Sequence, residues 1–526
     1  MPSKHNYEKL KHKHLPYIKP PVSSLNKVLF LGIAAFIFAA LNFVFLGATF
    51  IFWILIVIGV ILVPNALFLR FDFAQPFLLR YFITMIKTKR FVKIIIDISH
   101  HAKWFEKICL LGLFIGFGLV GIDYWKARKV GGWKRILILG ISALVLGFFF
   151  AYVCSILFSI PALAPLFIPC LIAFVILGFG GMSLAMLIGY GVLAVQGLFI
   201  AKQLCPSVAP VLPGVPIPGL GVPIPLIAWV SLAMVLIIHE CSHGIMMAYY
   251  KEKIKSVGLL MAGIFPLGAF VEQDDKTFNK LEDKKALMVL SAGSSSNLFT
   301  LILSVLFIIV FSFALTPFAP TFEKEFNKAY DGVKINSVEE KVSFCGIDAN
   351  APAKGKLFPG DIVKQVNGID VNSISGVNKE FVKSKGDINF LVQRINIDTN
   401  KLYDVNVSVI PFRFEDLNIK KIGAEFEAIP TGYQPPIGIV VAQTLITLIA
   451  QILLFFAVIS FAAGSFNYFP ADPFDGGRMA KIMLAPYFAF LGFNKKETHK
   501  FIGRLFIWLL IISLTLNMIP YLTMIP

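Results

Sequence analysis

The sequence predicts a polytopic α-helical membrane protein with one small β-rich extramembrane domain inserted into it. Three observations carry that prediction. First, 57% of the 526 residues are hydrophobic and only 15% are charged, and uncharged apolar runs of near bilayer-spanning length recur, as they do not in a soluble domain of this size. Second, residues 319–436 break the pattern with charges, turn signals and alternating runs such as "INFLVQRI" and "DVNVSVIPF", the signature of short strands. Third, the run "AWVSLAMVLIIHECSHGIMMAYYKEK" (228–253) carries His239, Glu240 and His243 in its second half. Ionisable groups at that depth are expensive in lipid and mark a site.

The elements follow in order. Residues 1–27 hold Lys4, Lys9, Lys11, Lys13, Lys19 and Lys27 against Glu8, so this segment is expected in the cytoplasm. The first apolar stretch begins near Lys27 and runs to about Leu69. That is too long for a removable signal peptide and too long for one helix, so it splits as a hairpin near Gly47. Spans are expected at about 28–46, 48–69, 136–159, 161–180, 182–201, 226–250, 286–316, 437–463 and 501–519. A further stretch, "ICLLGLFIGFGLVGI" (108–122), is short and glycine-rich. Treating it as re-entrant or interfacial keeps the basic loops 70–107 and 124–135 on the cytoplasmic side with the N-terminus. The proline-rich loop 205–225 and residues 319–436 then fall outside.

The formal net charge of +17 does not imply nucleic acid. The Lys and Arg residues collect in short loops between apolar runs, where they set topology and favour anionic headgroups; the expected partner is the bilayer. The six cysteines (109, 154, 170, 205, 241, 345) make no CxxC or other metal-ligand spacing. Cys205 and Cys345 both fall on the outward side, and their pairing is left open.

The chemistry starts at "HECSH" (239–243). Residues four apart on a helix share one face, so His239 and His243 can grip one metal ion. Glu240, one residue on, is placed to act as general base. With eight histidines in the chain, a chance HExxH is expected on the order of a few times in a thousand. A catalytic zinc takes three protein ligands, and His5, His12, His14, His100, His101 and His499 all lie in basic tails or loops, so a carboxylate is expected. The segment "GSFNYFPADPFDGGRMAK" (464–481) offers Asp475, with Asp472 as rival, in a stretch broken by Pro470, Pro473, Gly476 and Gly477. Irregular backbone at membrane depth must be buried or line a cavity. In "LSAGSSSNLFTLIL" (290–303) the small residues suit a close helix–helix contact, while Asn297 there, like Asn467, can instead hydrogen-bond a substrate backbone.

Taken in order, "HECSH", "GSSSN" (293–297, matching GxxxN) and "NYFPADPFDGG" (467–477, matching NxxPxxxxDGG) resemble the site-2 protease family of intramembrane zinc metalloproteases. Phe474 stands where that family usually has leucine. Within 319–436, "APAKGKLFPGDIVKQVNGIDV" (351–371) resembles the core signature of PDZ domains, with Asn367-Gly368 suited to a tight hairpin turn. The resemblance implies one Zn2+ per chain held by His239, His243 and Asp475, so that Asp475 is preferred over Asp472. It implies Glu240 as base, Asn297 and Asn467 as substrate contacts, and a membrane-associated β-hairpin at 257–275. It implies a transmembrane protein as substrate and peptide or C-terminus binding by the PDZ-like domain. The expected organisation is a basic segment 1–27, an accessory membrane region 28–204, the loop 205–225, core parts 226–318 and 437–526, and the domain 319–436 between them. Two other readings compete: a membrane zinc protease of the prenyl-protein-processing kind, expected to use a glutamate as third ligand, and a transporter or scaffold with a vestigial zinc site.

Overall fold

The computed structural model describes residues 22–522 except 47–49, 72–73, 79–80, 159–160, 201–212, 215–223, 275–277, 279, 345–346, 396–400 and 415–418. The basic segment before residue 22, most of the loop 205–225, Cys205 and Cys345 therefore lie outside the described residues. The helices are α1 (Val22–Leu46), α2 (Phe50–Arg70), α3 (Arg90–Ser99), α4 (Lys103–Ile122), α5 (Gly132–Phe158), α6 (Phe167–Ile200) and α7 (Ala228–Tyr249), followed by α8 (Asp283–Leu315), α9 (Ala319–Asn327), α10 (Ile374–Lys383), α11 (Ile437–Phe466), α12 (Asp475–Leu484) and α13 (Lys495–Leu522). Among the described residues, eight helices are long and apolar enough to cross a membrane. The chain is a multi-pass helical membrane protein with separate small antiparallel sheets.

The chain divides into two compact units, the first formed by residues up to 110 with 229–297, the second by 111–228 with 298–526. In the first, a four-stranded antiparallel sheet has the order β1 (Gln75–Leu78), β2 (Ile83–Thr88), β3 (Ile254–Ala262), β4 (Phe265–Gln273). The expected hairpin at 257–275 is its β3–β4 half; the loop 70–107 contributes the other half. Asn65 on α2, fully buried, explains the junction. Its Nδ2 donates to Tyr81 O (2.9 Å) and Phe82 O (2.8 Å), and its Oδ1 accepts from Thr84 Oγ1 (3.0 Å) and Gly263 N (3.1 Å). One side chain thus satisfies four polar groups that would be costly unpaired. At the sheet's exposed end, burial raises the Glu272 carboxyl's affinity for a proton, but the Ser256 hydroxyl and Lys87 (3.0 Å) outweigh it and hold its pKa below the usual range.

In the second unit, α4 and α6 both break at glycine. Gly118 (φ +52°) and Gly178 (φ +57°) leave helical geometry inside their helices. A Cβ on Gly178 would lie 2.1 Å from Ile115 O, and one on Gly118 2.4 Å from Val175 O. The backbones cross at contact distance there, which only glycine permits. Two sequence expectations bear on these breaks. The expected spans 161–180 and 182–201 fall on the two sides of the break at Leu177–Gly178, which lies a few residues before the expected boundary. The stretch 108–122, expected as re-entrant or interfacial, lies in a helical run from Lys103 to Val130 that breaks at Gly118 and has the length and composition of a span. The apolar count stopped at Asp123, but that charge is matched inside the fold. Asp123, 2% exposed, accepts from Arg135 Nε and Nη2, both at 2.7 Å, and from the Tyr487 hydroxyl at 2.5 Å.

Residues 330–430 form the β-rich domain. Its main sheet is antiparallel, in the order β11 (Leu402–Val409), β10 (Ile388–Ile395), β8 (Ile362–Val366), β5 (Tyr330–Val338), β14 (Ala424–Pro430), with β9 (Ile369–Asp370) on β8; two small hairpins pair β6 (Lys341–Phe344) with β7 (Ile347–Asn350) and β12 (Phe412–Phe414) with β13 (Ile419–Lys421). Alternate residues point to one core, among them Val333, Ile335, Val363, Val366, Phe390 and Val392. Val366 pairs with Ile369, so Asn367-Gly368 is a two-residue turn with both φ positive (+52° and +79°). Asp361, 2% exposed, accepts two 2.7 Å bonds from Arg394 and one from Phe358 N (2.9 Å), which ties the turn before β8 to β10.

Candidate metal centre

The helical spacing of His239 and His243 places their rings side by side, with centroids 4.9 Å apart and Nε2 atoms 3.2 Å apart. What faces them comes from α8 at the same spacing of four. Val289 O accepts from His243 Nδ1 (2.7 Å), and the Asn297 amide meets His239 Nδ1 (3.0 Å). Gly293 lies between: a Cβ there would come within 2.5 Å of both Nε2 atoms. The later residue of α8 meets the earlier histidine of α7, so the helices run antiparallel, and one face of α8 backs both imidazoles while leaving a small space at their Nε2 edges. The close approach is possible because residues 290–297 are Leu, Ser, Ala, Gly, three Ser and Asn, all buried. Ser291 Oγ donates to Cys109 O (3.1 Å) on the other side of α8.

This arrangement suits a divalent metal. With Nδ1–H committed to Val289 O, His243 turns a lone pair inward at Nε2. At His239, Asn297 can serve either tautomer. In the orientation here its Nδ2 donates to Nδ1; turned end for end, its Oδ1 accepts from Nδ1–H and frees Nε2 for a metal. A methyl on Gly293 would cover both Nε2 atoms, and the glycine leaves them open. Glu240 leaves the helix beside His239, and its Oε2 accepts from Val271 N on β4 (3.3 Å), which steadies the carboxylate of the expected base.

Asp475 opens α12, preceded by Phe474 in extended geometry. The loop 467–477 closes on itself, with Gly476 N donating to Asn467 O (2.7 Å). A Cβ on Gly476 would lie 2.2 Å from Tyr468 O, and one on Gly477 2.4 Å from the Ala471 carbonyl carbon, so the double glycine lets the loop pack on its own backbone. Asn467 is the first residue after α11 and the loop's other end. Asp472, the rival, is ion-paired with Lys481 at 2.5 Å. Among the described residues, His239, His243 and Asp475 make up a His-His-Asp cluster able to hold a metal ion, one ligand atom from each.

Sequence reasoning missed several supporting groups. Val289 acts through its carbonyl, which no side-chain pattern reveals. Tyr468, fully buried, is held by two glycines of the N-terminal region: a Cβ on Gly116 would lie 2.4 Å from its ring, and one on Gly180 2.4 Å from its carbonyl oxygen. The glycine richness of 108–122 and the "GFGG" at 178–181 were the available signals.

A family model for peptidase family M50 matches residues 227–518, more than half of the chain. An uncharacterized protein of Methanocaldococcus jannaschii is 28% identical over 248 residues, covering 47% of this chain and 54% of the relative. That match therefore spans about half the length of the relative. The matched region begins just before α7 and runs into α13, taking in both histidines, the α8 face behind them and the loop that carries Asp475. The chain belongs to peptidase family M50, the site-2 protease family of membrane-embedded metalloproteases.

Proposed function

We propose that this protein is an intramembrane zinc protease that hydrolyses peptide bonds in or near the transmembrane helices of other membrane proteins. The observation that carries the reading is the His-His-Asp donor set with an acid, Glu240, one residue from the first histidine on a helix of spanning length. His239, His243 and Asp475 would hold the ion. Zinc, when bound, supplies a Lewis acid that polarises the scissile carbonyl and acidifies the attacking water. Glu240 takes a proton from that water as its oxygen bonds to the carbonyl carbon, then delivers it to the amide nitrogen as the C–N bond breaks. Asn467, in the segment "NYFPADPFDGG", would hydrogen-bond the substrate backbone, and Asn297, in "GSSSN", would do so in addition to steadying His239. A substrate helix keeps its carbonyls in i to i−4 bonds, so the segment to be cut must unwind, and backbone donors and acceptors freed by unwinding need such partners.

The basic loops support an active site toward the cytoplasmic side with the β-rich domain outside. On the strength of its 351–371 segment, that domain would act as a PDZ-like module that binds peptide ends. The deciding experiment measures zinc content and cleavage of a model transmembrane substrate in detergent, for the native chain and Glu240→Gln. Zinc in both with cleavage lost in the variant, by a factor of about 100 or more, is the expected result. Undiminished cleavage by the variant would exclude Glu240 as base, and absence of zinc from both would exclude the metal centre.

A further inference from the structure

The second unit carries a feature that peptide hydrolysis does not use. At the start of α13 an open cleft of about 450 Å³ is lined by Lys481, Lys495, Lys496, His499 and Lys500. The like charges of Lys495, Lys496 and Lys500 repel one another, while the fourth ammonium of the lining, on Lys481, is paired with the Asp472 carboxylate. The cleft is built from two elements. Lys495, Lys496 and Lys500 are exposed on the first turns of α13, while Lys481 reaches across from α12 and is partly buried. Gly503 makes room for it, since a Cβ there would meet Lys481 Cε at 2.8 Å.

Its position in the fold narrows the ligand. Beyond Lys500 the one charged residue of α13 is Arg504, the rest of the helix is largely apolar, and the helix is long enough to span. The cleft therefore lies where an apolar span meets water, the level of lipid headgroups. Lysine ammonium groups at that level attract phosphate. Several ammonium donors around one hollow match the several acceptor oxygens of a phosphate group better than a single carboxylate.

We propose that this cleft binds a phosphate group, contributed in the membrane by an anionic phospholipid headgroup. The consequence reaches the loop 467–477. Lys481 is ion-paired with Asp472 (2.5 Å), three residues before Asp475, so a phosphate in the cleft and this loop draw on the same ammonium. Headgroup binding is thereby coupled to the backbone that carries the expected third ligand.

The test uses the full detergent-solubilised chain and native mass spectrometry, with phosphatidylglycerol, phosphatidylcholine or inorganic phosphate added. The native chain is compared with a Lys495→Ser, Lys496→Ser, Lys500→Ser triple variant. A control variant, Lys126→Ser, Lys129→Ser, Lys134→Ser, removes the same charge from another basic loop. Each lysine near a membrane surface is worth about fivefold in anion affinity, so the cleft variant should retain phosphatidylglycerol on the order of 100-fold more weakly than the native chain. The control should stay near the native value, and phosphatidylcholine, which has no net charge, should bind less well throughout. Binding of inorganic phosphate alone, lost in the cleft variant, would support the site with a free anion as its ligand. Equal losses in both triple variants, or none in either, would overturn it.

Discussion

Asn297 shows what a single side chain contributes behind a metal ligand. It is fully buried, and its amide sits 3.0 Å from His239 Nδ1, the ring nitrogen that points away from the space at Gly293. Partners of that outer nitrogen fix the tautomer and aim of a metal-binding imidazole, and losing one weakens metal affinity by about 10–100-fold. Val289 O does the same for His243, but a backbone carbonyl cannot be removed by substitution. Asn297→Ala is therefore expected to lower zinc affinity by about that factor, read by competition with a chromogenic chelator on the full chain. A residue that only contacted substrate would raise KM and leave the chelator titration unchanged. At this scale the sequence was informative where a side chain's identity makes the chemistry: His239, Glu240 and His243 stand out by spacing, whereas Asp475 shared its broken backbone with Asp472 and was preferred only by the family resemblance. It was silent where position alone matters, as at Val289.

Among the elements, the loop 467–477 depends on helices far away in sequence. Tyr468 fills the hollow left by Gly116 on α4 and Gly180 on α6, and it packs edge-on against Phe117 with centroids 6.2 Å apart. The adjacent Gly118–Gly178 crossing sets how closely α4 and α6 approach. These two helices of the N-terminal region thus form the wall against which the loop is seated. Gly116→Ala would place a methyl 2.4 Å from the Tyr468 ring, and a fully buried aromatic side chain has nowhere to retreat. Overpacking of this kind costs about 1–3 kcal/mol and here would move the backbone one residue from Asn467. The expected outcome is reduced zinc content and reduced cleavage in a chain that still unfolds cooperatively. Normal zinc content and cleavage in the variant would show that the wall does not position the loop. The helices themselves were legible as apolar runs, and the hairpin β3–β4 was expected only through the family resemblance. The break near Gly178 was legible as the boundary between the expected spans 161–180 and 182–201, but the break at Gly118 and strands β1 and β2 were not, because they arise from contacts across more than fifty residues of sequence, through the Gly118–Gly178 crossing and the β2–β3 pairing.

For the whole molecule, the β-rich domain is an insertion whose two ends are fastened to each other. Thr431 N donates to Ala329 O (3.0 Å), Thr431 Oγ1 donates to Lys328 O (2.6 Å), and the Tyr433 hydroxyl donates to Glu325 Oε2 (2.5 Å). The chain therefore leaves the helical run ending at α9 and returns toward α11 at nearly the same point. Inside the domain a separate hydrophobic core closes around Val333, Ile335 and Phe390. An element with its own core and adjacent ends can be removed without stretching the rest of the chain. None of His239, Glu240, His243, Asn297 or the loop 467–477 lies within residues 330–430. Replacing 330–430 by a short Gly-Ser linker should therefore leave a chain that retains zinc and its helical circular-dichroism signal per helical residue. Cleavage of a substrate reduced to a bare transmembrane helix should persist as well, because such a substrate offers the domain little to hold. Loss of zinc or of helical signal would mean that the domain supports the membrane-embedded fold. Loss of cleavage alone, with zinc retained, would place the domain in substrate delivery.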